Sequence, residues 1–151
     1  MNLQGIGIIL VITGCGGFGF SMAASYRREV SLLNRLIRVL NDMEWELQYR
    51  LTPLPELCRQ AVQGESGLIR DVFIRLAQSL DSMTNPDVKS CMQAILSTRQ
   101  IPGKIRKHLR NLGASLGRYD LQGQILGLRS VRSACRKELN ELERNKTERL
   151  R

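Results

Sequence analysis

The sequence predicts an all-α protein: one N-terminal transmembrane helix, then an antiparallel bundle of about six helices ending in a long one. Three observations carry this. Residues 3–25 contain no Asp, Glu, Lys, Arg or His. Beyond them, apolar residues recur at steps of three and four in successive segments, each bounded by Pro or Gly. No segment shows the alternation of a half-buried strand.

Residues 3–25 come first. A helix rises about 1.5 Å per residue, so roughly 20 residues cross a ~30 Å hydrocarbon core. The run is long enough to span. It is too long for a secretory signal, and Met1 to Gln4 lacks the basic residue such a signal needs. Ile12-Thr13-Gly14-Cys15 matches a lipobox, which would lipidate Cys15 and place the rest outside the membrane. Against that, apolar sequence continues through Gly16-Gly17-Phe18-Gly19-Phe20, and the basic leader is missing. Arg27 and Arg28 follow the run and nothing positive precedes it, so the N-terminus faces out and the remainder faces the cytoplasm. The expected division is an anchor over residues 1–26 and a cytoplasmic helical domain over residues 27–151. Thr13, Gly17, Ser21 and Ser25 recur every four residues, a small-residue stripe on which another membrane helix could pack. Chance is the competing explanation, because glycine is common in membrane helices.

The formal net charge of +9 lies wholly after the anchor. It favours anionic partners: a phospholipid surface, nucleic acid or an acidic protein face. Cys15, Cys58, Cys91 and Cys135 are far apart and form no CxxC or Cys/His cluster. That argues against zinc and against a disulfide framework, and for reduced structural thiols. No cofactor is expected.

In residues 29–51, Val30, Leu33, Leu36, Ile37, Leu40, Met43, Leu47 and Leu51 share one helical face. No Gly or Pro separates this helix from the anchor, so the two can be continuous. Thr52-Pro53-Leu54-Pro55-Glu56 ends it and starts the next. Thr52 is expected to cap that second helix, with Pro53 in its first position. It runs to about Val62 and stops at Gly64. A third helix covers residues 68–80, with Leu68, Ile69, Val72, Phe73, Leu76, Ala77 and Leu80 inward. Asn85-Pro86 signals the start of a fourth, reaching about Ser97. Ile101-Pro102-Gly103 breaks the chain, and a fifth helix covers residues 104–116. Gly117 suits a C-terminal cap and Asp120 the N-cap of a long last helix. There Leu121, Ile125, Leu128, Cys135, Leu139 and Leu142 form a heptad seam interrupted at Arg132 and Lys146. The expected arrangement packs this helix on the first soluble helix. A homodimeric coiled coil is the alternative.

Little catalytic chemistry can be assembled. Gly14-Cys15-Gly16-Gly17-Phe18-Gly19 matches GxGxxG by letter but lies inside the apolar run rather than after a strand. Glu44 and Glu46 stand two apart on a helix, so their side chains diverge. The single histidine, His108, is expected to be exposed or half-buried. An enzyme is not expected. Nucleic-acid binding is the rival reading, because residues 88–119 hold no acid and seven Lys or Arg, Lys89 to Arg118. Tyr119 is the lone aromatic there, which leaves base stacking poorly supplied.

Two stretches carry a family resemblance. One is residues 36–56, a Leu-rich helix with Glu44, Glu46 and Tyr49, then Thr52-Pro53-Leu54-Pro55-Glu56. The other is Leu112-Gly113-Ala114-Ser115-Leu116-Gly117-Arg118-Tyr119-Asp120, followed by Gln124 and a charged helix. With the N-terminal apolar run, the chain resembles stage III sporulation protein AB of endospore-forming bacteria. The resemblance implies a place in the mother-cell membrane around the forespore, within a channel or secretion-like complex. It implies a helical domain similar to the F-type platform domains of type II secretion, contacting a cytoplasmic secretion-type ATPase and other membrane proteins. Glu44, Glu46, Arg118 and Tyr119 are then the expected partner contacts, while Thr52, Pro53, Gly117 and Asp120 shape turns and caps. It also implies a second apolar span after the long helix. Up to Arg151 there is none, which leaves a truncated sequence or a single anchor.

Overall fold

The computed structural model describes residues 3–82, 87–117 and 120–150, with the backbone alone at positions 15 and 18. Six α-helices follow one another: α1 Leu3–Tyr49, α2 Leu54–Ala61, α3 Leu68–Ser82, α4 Val88–Ser97, α5 Gly103–Leu116 and α6 Leu121–Arg149. There is no strand among the described residues. The Asn85-Pro86 signal lies outside the described residues, and α4 opens at Asp87.

α1 is one unbroken helix of 47 residues, so the boundary expected at residue 26 falls inside it. Its first half contains an 18-residue stretch of mean hydropathy 1.9, none of it buried within the protein, long and apolar enough to cross a membrane. Its second half is the spine of the bundle. Leu32, Leu33, Leu36, Val39, Leu40, Met43 and Leu47 are all buried. Leu32 and Val39 widen the expected stripe, because neighbours flank α1 on two sides. It packs chiefly on α6 and then on α2, with lighter contacts to α3 and α5. From α2 to α6 each helix packs on the next, and α2 and α6 both pack on α1, so the bundle closes on itself around α1. Phe73, Ile69 and Leu76 of α3, Leu57 of α2, Met92 of α4 and Ile105, Leu109 and Leu112 of α5 fill its centre.

α6 runs antiparallel to α1. Arg129 near its start meets Glu44, and Lys146 near its end lies over the Tyr26 ring, 5.3 Å from the centroid. Ile125, Leu128, Val131 and Cys135 are its buried residues. The seam therefore packs within the chain, as expected, with Val131 added.

The turn residues divide. Asp120 caps α6, accepting from the Gly123 amide at 3.0 Å. Thr52 does not cap α2: Pro53 occupies that position with ψ 146°, Pro55 lies in the first turn, and no side chain completes the cap. Gly117 does close α5, at φ −98°, where any residue fits. Glycine is needed there for another reason. Gly113 and Gly117 lie one turn apart on the face of α5 that meets α4. A Cβ on Gly113 would stand 2.7 Å from Met92 Cβ, and one on Gly117 3.1 Å from Val88 Cβ. The repeated Leu-Gly step is a close helix crossing.

Candidate partner-binding site

The far end of α1 carries Glu44 and Glu46, two of the four expected partner contacts. Trp45 lies twenty residues past Ser25, about 30 Å further along the helix. Helical spacing turns Glu44 inward and leaves Trp45, Glu46 and Tyr49 on other sides.

Glu44 is expected at a partner surface, yet it is only 7% exposed. Its two oxygens are already held. Arg129 Nε donates to Oε1 at 2.6 Å, and Arg132 Nη1 donates to Oε2. Arg132 Nη1 also donates to Asn41 Oδ1 at 3.0 Å. Burial alone pushes the Glu44 carboxyl up. The hydrogen bond from Arg129 and the charges of Arg132 and Arg129 outweigh it, and the net shift is below the ordinary 4.5. Glu44 is thus a clasp between α1 and α6. Arg132, which interrupts the apolar seam, is the other half of that clasp.

Glu46 is half-buried. Thr52 Oγ1 donates to its Oε2 at 3.1 Å, and Arg50 stands 3.8 Å away. Thr52 therefore secures the end of the preceding helix. Arg118 and Tyr119, the other two expected contacts, lie outside the described residues.

The aromatic neighbours did not stand out in the sequence. Trp45 and Tyr49 stack with centroids 4.5 Å apart and planes at 29°. They are 59% and 68% exposed. Leu51, expected on the buried face, is also exposed and adopts φ +52°. That left-handed conformation costs a leucine about 1 kcal/mol or more. A strained apolar residue thus stands two positions from an exposed aromatic pair. Large aromatic side chains of this kind are the usual anchors of protein interfaces. Their i, i+4 spacing was the available signal, since neither residue fits the apolar stripe.

The remaining polar chemistry is structural. His108 is buried rather than exposed, and its Nε2 lies 2.6 Å from Glu138 Oε2, joining α5 to α6. Cys58, Cys91 and Cys135 are buried. Burial pushes the Cys58 and Cys135 thiols up to about 12. Among the described residues no group of His, Cys, Asp or Glu could hold a metal ion. Thr13, Gly17 and Ser21 lie on the exposed part of α1, where the Thr13 hydroxyl donates to the Ile9 carbonyl at 2.7 Å.

These features define an all-α bundle built on one long, half-apolar helix, with an exposed aromatic patch at its far end. A family profile described as stage III sporulation protein AB matches residues 4–151. The chain belongs to the stage III sporulation protein AB family. A solved structure titled "Stage III sporulation protein AB (SpoIIIAB)" is similar in fold, with a TM-score of 0.68 at 16% identity, over 80% of this chain and 98% of that one. No match was found among the curated proteins.

Proposed function

We propose that this protein is a non-catalytic, membrane-anchored scaffold of a sporulation channel or secretion-like complex. In this reading it sits in the mother-cell membrane around the forespore, single-pass, with the helical domain in the cytoplasm. The observation that carries it is the continuity of α1. Its first half is apolar and unburied, and its second half is the spine of the bundle. A helix of that kind transmits position from a membrane to the far end of the domain without a hinge. Arg27 and Arg28 support the cytoplasmic orientation. Thr13, Gly17 and Ser21 offer a face for another membrane helix.

The partner surface is the Trp45, Tyr49 and Leu51 patch with Glu46 at its edge, and its occupant is the complex's secretion-type ATPase. A photo-crosslinking residue in place of Tyr49, in the full chain in sporulating cells, tests this. Recovery of that ATPase is expected. Recovery of nucleoid proteins alone would overturn the scaffold in favour of nucleic-acid binding.

A further inference from the structure

A cleft of about 610 Å³ opens beside α1 at the end of its apolar half. Ala24, Ser25, Arg28 and Glu29 of α1 form one wall, and Pro102 and Arg106 form the other. We propose that this cleft holds the phosphate of an anionic phospholipid headgroup. The inference rests on α1 being a membrane anchor. Ser25 then ends the uncharged run, and the cleft lies at headgroup depth.

Two guanidinium groups from separate elements line it. Arg28 makes no hydrogen bond or ion pair among the described residues. Arg106 Nη2 donates to the Arg99 carbonyl at 3.1 Å, and its side chain makes no other hydrogen bond or ion pair among the described residues. A guanidinium with donors to spare gains from an incoming phosphate oxygen. The positive end of α5 adjoins the same wall. Pro102 is its N-cap, no side chain caps it, and its first turn holds no acid. The amides of Gly103 to Ile105 therefore lack helical acceptors, whereas Arg106 N reaches the Pro102 carbonyl at 2.9 Å. Glu29 is the opposing charge, one against two arginines. Ala24 and Pro102 give the cleft apolar wall next to its cationic groups. That pairing suits an amphiphile, with its stem toward hydrocarbon and its phosphate toward water. A nucleic acid would have to reach the same depth against the bilayer surface.

The test titrates phosphatidylglycerol or phosphatidylcholine onto the full chain in a nonionic detergent and counts bound lipid by native mass spectrometry. One phosphatidylglycerol should bind at lower concentration than phosphatidylcholine. R28Q and R106Q should each weaken it at least tenfold. R27Q removes the same charge from the neighbouring position, outside this cleft, and should cost no more than the about fivefold of general surface attraction. The double variant should lose less than the product of the singles, because both arginines meet one phosphate. E29Q should tighten binding, which a misfolded variant would not do. Equal losses for R27Q and R28Q, or no preference for phosphatidylglycerol, would overturn the proposal. So would displacement by glycerophosphate at the lipid's own concentration, or by duplex DNA at near-physiological salt. Alkaline carbonate separates two failures. A chain extracted from membranes loses the anchor and this site together, whereas one retained without lipid preference loses the site alone.

Discussion

Glu44→Gln isolates the contact that closes α1 onto α6. The substitution keeps the shape and removes the charge. The Glu44 side chain is 10% exposed, Arg132 18% and Arg129 48%. Removing one partner of a fully buried pair costs about 3–5 kcal/mol. Here Arg129 can turn to water, so its share is small. Arg132 cannot turn as freely and keeps only Asn41. A glutamine oxygen can accept from one arginine, but its amide N–H groups then face the other's donors. The expected loss is about 2–3 kcal/mol, near the value of one or two charge-assisted hydrogen bonds. The Glu44 carboxyl titrates below its ordinary 4.5 in the folded chain. Its contribution is therefore present above about pH 4.5 and is lost as pH falls through the lower folded value. Urea unfolding of the full chain in nonionic detergent, followed by Trp45 fluorescence and far-UV circular dichroism, measures both effects. The gap between wild type and E44Q should be constant near pH 7 and close on acidification. A loss under about 0.5 kcal/mol at pH 7, or a gap that widens in acid, would refute the clasp.

Other outcomes follow from single contacts. Gly113→Ala places a methyl 2.7 Å from Met92 Cβ and should cost about 1–3 kcal/mol despite alanine's better helix propensity. Gly103→Ala meets nothing within 4 Å and should be neutral or mildly stabilising in the same unfolding assay. Leu51→Gly relieves the left-handed strain and should raise stability by about 0.5–1 kcal/mol, while lowering the yield of the Tyr49 crosslink. Cys58 and Cys135, pushed up to about 12, should resist Ellman's reagent at pH 8 in a Cys15→Ser background and react in denaturant. Rapid native labelling of either would show an open bundle.

The helices were legible because each is punctuated. Proline or glycine stands at almost every break, and Asp120 marks the start of α6 by the chemistry of its cap. Periodicity also found most of the core. It missed Leu32, Val39 and Val131, which lie on the flank of a stripe and are buried only because a second neighbour arrives. The site was less legible. Glu44 looks like one charge on a solvated face, and its partners Arg129 and Arg132 are 85 and 88 positions away. The arginine interrupting the seam was the available hint, since an inward charge requires a partner. Thr52 shows a local rule losing to a neighbour: Pro53 already has the extended ψ of a cap, and the freed hydroxyl turns back to Glu46. Gly113 and Gly117 resemble turn residues in sequence, and only the closeness of α4 reveals why they lack side chains.

The proposed function requires α1 to cross the membrane and hold the bundle in the cytoplasm. Protease protection of the full chain in bacterial spheroplasts tests it most directly. The expected result is a domain beyond Arg28 that survives external protease and is digested only after lysis, in a chain that alkaline carbonate leaves in the membrane pellet. Digestion in intact spheroplasts, or release by carbonate, would contradict it.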